Sequence, residues 1–155
     1  MAKIHNPPAI AAPIGTYSHG IEVPPNARWL YVAGQVAMRK DGSVPAMIEE
    51  QTMVAWENVT AILDSAGMKV TDIVRINQYL TDAAHFPGYA SARRRFLADH
   101  RPASTVVMVD ALIKPEFLVE VEVVAAKAAP SRQPAKRRAP AAAKKRKRAA
   151  KKRHR

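Results

Sequence analysis

The charged residues of this 155-residue chain divide sharply at Ala126. Residues 1–126 contain 11 Lys and Arg and 13 Asp and Glu, whereas residues 127–155 contain 14 Lys and Arg and no acidic residue. The formal net charge of +12 therefore belongs to the last segment. We predict one folded domain over residues 1–126, which is long enough for a two-layer core. Because residues 1–126 are nearly neutral, this division excludes a folded domain that binds nucleic acid through an overall positive charge.

Residues 127–155 form a second kind of segment, rich in Ala, Pro, Lys and Arg and without a large apolar residue. Such a tail cannot bury enough apolar surface to offset its ordering entropy, so we expect it to be disordered when unbound. Its positive charge is typical of an arm that binds a polyanion, although a solubilising extension is the alternative. The segment has no aromatic residue to stack on bases, so nucleic-acid binding would not depend on base sequence. The residues that we expect to contact DNA or RNA are Lys144, Lys145, Arg146, Lys147, Arg148, Lys151, Lys152 and Arg153.

The residue types that are missing exclude several classes of protein. Cysteine is absent, which excludes disulfides, thiolate metal sites and a cysteine nucleophile. The five histidines include no pair at metal-ligand spacing, so we expect no metal site. No apolar run approaches the ~20 residues of a membrane span, and prolines interrupt the N-terminal region where a signal peptide is apolar. We expect a cytoplasmic protein that has no membrane partner. Binding of the tail to DNA would place this protein at the nucleoid.

The hydrophobic periodicity of residues 1–126 predicts the element order ββ-α-β-α-ββ. The first two strands flank Pro24-Pro25-Asn26 and are predicted to form a hairpin. Helices on one face of a mixed sheet make an α+β two-layer sandwich, and the apolar strands favour a protein partner on the other face. The predicted strands are 21–23, 28–33, 70–80, 105–112 and 117–125, and the predicted helices are 46–66 and 86–98.

Several charged and aromatic residues have a simple structural interpretation. Glu120 and Glu122 lie two apart on a predicted strand, so both point to one face of the sheet. Arg93-Arg94-Arg95 point in different directions around a helix, which predicts a solvated helix end rather than an anion site. Trp29 and Trp56 are predicted to pack in the core or in an interface between copies of the chain.

Seven short motifs, in a fixed order, resemble those of a known family. They are 14–19 (IGTYSH), 31–35 (YVAGQ), the spacing of Gln, Asn, Leu and Ala-Gly over 51–67, 79–82 (YLTD), the Phe and Tyr spacing of 86–96, 101–104 (RPAS) and 119–122 (VEVE). Together they resemble the Rid family (reactive intermediate deaminase, YjgF-type) over roughly residues 6 to 126. The resemblance implies a chorismate-mutase-like fold and a homotrimer with three clefts at the subunit interfaces. It also implies hydrolysis of small imines and enamines, released by pyridoxal-phosphate enzymes, without a metal or cofactor.

The resemblance also assigns roles to single residues. It implies that Glu120 holds the attacking water, that Tyr17 packs on the substrate and that the backbone near Gly34 lines the pocket. Ser104 stands where deaminating members carry a carboxylate-binding arginine, and Ala90 stands where the second helix carries an asparagine.

Because of Ser104, the chain resembles an arginine-lacking branch of the family. A serine offers no charge to a carboxylate, which argues against a simple 2-imino acid as the substrate. Arg101 would point to the opposite face from Ser104 on an extended strand. We therefore expect the cleft to bind, and to hydrolyse, another small reactive imine, enamine or carbonyl metabolite. The alternative is a non-catalytic trimeric scaffold that presents its basic tails to DNA or RNA.

Overall fold

The structure is a computed structural model that describes residues 2–129, and this part of the chain contains six strands and two α-helices. Their order agrees with the predicted order, with one further short strand at the beginning. The elements are β1 (Lys3–His5), β2 (Gly20–Glu22), β3 (Ala27–Val36), α1 (Ile48–Ser65), β4 (Ile73–Leu80), α2 (Phe86–Leu97), β5 (Ala103–Met108) and β6 (Val119–Ala128).

The main sheet has four strands in the order β3-β6-β4-β5. β6 pairs antiparallel with both β3 and β4, whereas β4 and β5 are parallel and are joined through α2. The helices pack against each other, and α1 also packs on β3 and β6. The result is a mixed sheet with a helical layer on one face, as the sequence predicts.

The predicted hairpin between the first two strands is wrong. β2 pairs with β1 in a separate two-stranded sheet, whereas β3 pairs with β6. Residues 24–27 do form a tight turn, since Ala27 N–H donates to Pro24 O at 3.1 Å, but the strands on either side of it do not pair. β3 and β6 each have ten residues, so their pairing satisfies many more backbone groups than a three-residue β2 could.

The core lies between the helices and the inner face of the sheet. Val119, Val121 and Val123 on β6 are buried and alternate with the partly exposed Glu120 and Glu122. Trp56 of α1 is fully buried and stacks on Phe96 of α2, with ring centroids 5.8 Å apart. The prediction that Trp56 packs in the core is confirmed.

The outer face of the sheet carries exposed aromatic side chains in the single chain. Trp29 and Tyr31 of β3 stack with centroids 6.5 Å apart and are 50% and 76% exposed. The i, i+2 spacing of a strand places them on the same face. Large exposed aromatic pairs of this kind are typical of interaction surfaces.

The C-terminus of α1, which the sequence predicts near residue 66, is closed by a glycine cap. Gly67 has φ +66°, its N–H donates to Asp64 O, and Met68 N–H donates to Leu63 O. This is the Schellman arrangement, which satisfies the last carbonyls of the helix.

Gln51 of α1, the glutamine of the family-like helix motif, is buried and makes hydrogen bonds that explain its presence there. Its Nε2 donates to Pro45 O and Glu116 O, and its Oε1 accepts from Leu118 N–H. These bonds fasten the helix to the segment that leads into β6.

The predicted domain boundary at Ala126 falls inside β6. Lys127 pairs with Arg28 of β3, and its Nζ donates to Gly67 O at 2.7 Å. The folded part therefore extends through Ala128, and most of the predicted tail lies outside the described residues.

None of the helices within residues 2–129 is both long and apolar enough to cross a membrane.

Candidate functional site

A cleft of about 640 Å³ lies between α2, the edge strand β5 and the segment before β2. Its volume is typical of sites for small organic ligands. The polar and aromatic side chains that line it include Tyr17, Gln78, Tyr89, Arg93 and Ser104.

The structure brings two predicted substrate-binding residues, Tyr17 and Ser104, into this cleft. The segment that carries Tyr17 is fastened beside β5 by the next residue, Ser18. Ser18 N–H donates to Pro102 O at 3.1 Å, and its hydroxyl donates to Arg101 O at 2.6 Å. Ala90, also identified from the family-like pattern, lines the same cleft.

Ser104 belongs to a chain of hydrogen bonds that begins in the core. The buried Tyr89 hydroxyl donates to Gln78 Oε1, and Gln78 Nε2 donates to Ser104 Oγ at 2.9 Å and to Thr105 O at 2.7 Å. Burial raises the pKa of Tyr89, which keeps its hydroxyl protonated as a donor. The chain fixes the position of the Ser104 oxygen at the cleft wall.

The prediction that Arg93-Arg94-Arg95 form a solvated helix end is wrong for Arg93. Arg94 and Arg95 are exposed, whereas Arg93 is 8% exposed and lies against the cleft. Its Nη1 donates to Thr16 Oγ1 at 3.0 Å and its Nη2 approaches Ser104 Oγ at 3.4 Å. Burial lowers the pKa of Arg93. The sequence signal was its spacing of four from Tyr89 and from Leu97, both buried.

Gly34 and Glu120 lie together, but away from this cleft. A Cβ atom on Gly34 would overlap Glu120 Oε1, so the carboxylate occupies space that only a glycine leaves free. A β-bulge between Val32 and Gln35 places Gly34 there. On β4, Gln78 points inward to Ser104, whereas its neighbour Tyr79 is the register partner of Glu120. Because side chains alternate along a strand, Glu120 and Ser104 lie on opposite faces of the sheet.

The two glutamates of β6 differ in their partners. Glu122 Oε2 accepts from Asn77 Nδ2 at 3.1 Å and from the Tyr79 hydroxyl at 3.0 Å, which raises the pKa of Tyr79. None of the hydrogen bonds or ion pairs within residues 2–129 uses the Glu120 carboxylate. Glu122 is therefore held by side chains of β4, whereas the Glu120 carboxylate has no hydrogen-bond or ion-pair partner within residues 2–129.

Arg101, the question of a metal site and the predicted nucleic-acid contacts can be treated together. Arg101 does not line the cleft and lies instead beside a separate depression with Ile21 and Thr71. No group of three or more His, Asp or Glu side chains within residues 2–129 could hold a metal ion. The eight tail residues predicted to contact nucleic acid lie outside the described part of the chain.

Comparison with known proteins identifies relatives over the folded part. Residues 8–127 match the family model described as Endoribonuclease L-PSP. A RutC family protein of Pyrococcus abyssi is 34% identical over 117 residues, covering 74% of this chain and 89% of that protein. The 2-iminobutanoate/2-iminopropanoate deaminase of Dermatophagoides farinae is 29% identical over 122 residues, covering 77% of this chain and 92% of the relative.

Two solved structures have the same fold at recognisable sequence identity. The Rid family protein YyfB of Yersinia pestis has a TM-score of 0.69 and 26% identity, covering 80% of this chain and 97% of that chain. Escherichia coli TdcF with bound serine has a TM-score of 0.62 and 28% identity, covering 81% and 99%. The matched family model spans nearly the whole folded part, so this chain belongs to the Endoribonuclease L-PSP family, the YjgF/Rid proteins.

Proposed function

We propose that this protein hydrolyses a small imine or enamine in a cleft completed by a second copy of the chain. The observation that carries the proposal is the division of the site. The substrate-sized cleft with Tyr17 and Ser104 lies on one face of the sheet. The Glu120 carboxylate, which has no hydrogen-bond partner within residues 2–129, lies on the opposite face. The deaminase name of the Dermatophagoides farinae relative supports the same reaction.

A second copy would supply the half of the site that each chain lacks. For Glu120 to reach the cleft of a neighbour, the outer face of one chain has to pack against the open edge strand β5 of the next, beside which the cleft lies. The exposed Trp29–Tyr31 pair provides apolar surface for such packing. A closed ring of three copies, as the family resemblance implies, would give three equivalent clefts.

The chemistry needs one water and one proton carrier. Glu120 takes a proton from the water as the water oxygen bonds to the carbon of C=N, and it passes this proton to the nitrogen, which gives a neutral carbinolamine. The carboxylate then takes the proton of the new hydroxyl and passes it to the nitrogen as the C–N bond breaks, so that ammonia leaves and a carbonyl product remains. Tyr17 supplies an aromatic surface against which the flat C=N group can pack.

The direct test offers the purified protein 2-iminopropanoate, generated in place by an amino-acid oxidase. We expect the protein to accelerate imine loss and ammonia release several-fold or more above the spontaneous rate. The measurement follows trapping of the imine by semicarbazide, with heat-denatured protein as the control. Equal imine loss with folded and denatured protein would contradict the proposed reaction for this substrate class.

The oligomer can be tested separately through Tyr31. We expect the wild-type protein to form a trimer, and Tyr31→Glu to weaken association by about 30-fold, since removing a buried aromatic anchor costs about 2 kcal/mol or more. Sedimentation over a range of protein concentrations measures both. Met47→Glu is the matched control, because Met47 is also exposed but lies at the start of α1. A monomeric wild-type protein, or an unchanged Tyr31→Glu trimer, would contradict the assignment of this interface.

A second candidate function rests on the charge of the chain. All the excess positive charge lies after Ala126, with 14 basic residues and no acidic residue. We propose that this tail binds nucleic acid without base specificity, independently of what the cleft does. The expected result and its measurement are given in the Discussion.

A further inference from the structure

The cleft contains a buried cation without a buried counter-charge. Arg93 is 8% exposed, and none of the ion pairs within residues 2–129 includes it. Its Nε is fully buried and has no hydrogen-bond partner in the described part of the chain. A buried charge is costly unless it is paired, so this guanidinium would be stabilised by an anion.

The hydrogen bonds of Arg93 and Ser104 leave some of their donors without a partner among the described residues. Ser104 Oγ accepts from Gln78 Nε2 at 2.9 Å and from Arg93 Nη2 at 3.4 Å. A serine hydroxyl has two acceptor lone pairs and one O–H, so the Ser104 proton remains to be donated. Arg93 itself has five N–H donors, and its contacts with Thr16 and Ser104 account for three of them.

The other residues that line the cleft also favour an anionic ligand. No acidic side chain of the described residues lines this cleft, and the exposed Arg94 lies at its edge. An anion of substrate size would therefore meet one buried cation, one exposed cation and a hydroxyl donor. These features argue against an uncharged ligand.

We propose that Arg93 binds the carboxylate of a 2-imino acid substrate, and so performs from α2 the role that an arginine at position 104 would otherwise perform. This inference rests on the proposed imine hydrolysis for the identity of the ligand. The small side chain of Ser104 leaves room for the guanidinium to approach β5. The planar guanidinium suits a carboxylate, and the Ser104 hydroxyl adds a donor beside it. A 2-imino acid thereby returns as the preferred substrate class.

Binding of the product is the sharpest test, because it does not require catalysis. We use pyruvate as the charged probe and methyl pyruvate, which lacks the carboxylate, as the neutral probe, both measured by ligand-observed NMR titration. We expect the wild-type protein to prefer pyruvate. We expect Arg93→Gln to weaken pyruvate binding by about 10- to 100-fold and to change methyl pyruvate binding less than about 3-fold.

Matched variants separate charge from structure. Arg95→Gln changes an exposed arginine of the same helix that does not line the cleft, and should bind both probes like the wild type. Adding Ser104→Arg to Arg93→Gln returns a guanidinium to the cleft and should restore pyruvate binding. If Arg93→Gln fails to fold, Arg93→Lys and the wild-type preference between the two probes still test the inference.

The results distinguish this inference from the proposed reaction. Equal pyruvate binding by wild type and Arg93→Gln overturns it, as does equal loss of both probes or no preference for pyruvate in the wild type. Arg93-dependent pyruvate binding without imine hydrolysis would support the anion site and overturn the reaction. Imine hydrolysis that is unaffected by Arg93→Gln would support the reaction and overturn the assignment of Arg93 to the substrate carboxylate.

Discussion

Replacing Glu120 with glutamine is expected to lower kcat/KM for imine hydrolysis by about 10²- to 10³-fold, because the amide cannot take a proton from water. The fold should be unaffected. Glutamine fits the space above Gly34 that the carboxylate occupies, and the described hydrogen bonds do not use Glu120. The measurement is the semicarbazide assay with saturating and subsaturating imine, together with a thermal melting curve.

Glu122→Gln is the matched control for this variant. Glu122 lies on the same face of β6, but its carboxylate already accepts hydrogen bonds from Asn77 and Tyr79. We expect its loss to lower stability slightly and to change kcat/KM by less than about 3-fold. Hydrolysis by Glu120→Gln at the wild-type rate, or an equal loss in both variants, would remove Glu120 from the mechanism.

The secondary structure could be predicted from the sequence because the periodicities are strong. The predicted strand 117–125 and helix 46–66 largely coincide with β6 and α1. The pairing of the strands was harder to predict. Residues 21–23 and 28–33 are neighbours in sequence, whereas β3 pairs with the distant β6, and local periodicity carries no signal for a pairing between segments so far apart.

The sequence motifs named the residues of the candidate site but not their arrangement. Tyr17 and Ser104 line one cleft, and Gly34 contacts Glu120. Their placement on opposite faces depends on strand order and register, which the motifs do not contain. The motifs therefore name two groups of residues without showing that the sheet separates them.

Arg93 shows how a correct geometric argument can lead to a wrong conclusion. Consecutive helical residues do point in different directions, and two of the three arginines are exposed as predicted. The same argument implies that one of them faces inward when the helix is packed. Tyr89, Arg93 and Leu97 follow one another at intervals of four, so Arg93 lies on the buried stripe of α2.

Removal of the basic tail after Ala129 is expected to have the largest effect, on binding to duplex DNA. Cleavage there leaves β6 complete, since the strand ends at Ala128. The remaining residues carry nearly balanced charge, so they offer no comparable attraction to phosphates. If the eight residues Lys144, Lys145, Arg146, Lys147, Arg148, Lys151, Lys152 and Arg153 each neutralise one phosphate, log K should fall against log salt with a slope of about −7.

That slope predicts a loss of about 10⁴-fold in affinity between 50 and 200 mM salt for the full chain, and no measurable binding for the shortened one. Fluorescence anisotropy with duplexes of two unrelated sequences measures both the slope and the lack of base preference. Changing the eight residues to glutamine, at constant length, is the matched control and should behave like the shortened chain. Similar affinity and slope with and without the tail would place DNA binding elsewhere or exclude it. Unchanged imine hydrolysis by the shortened protein would show that tail and cleft act independently, as their separate positions in the chain predict.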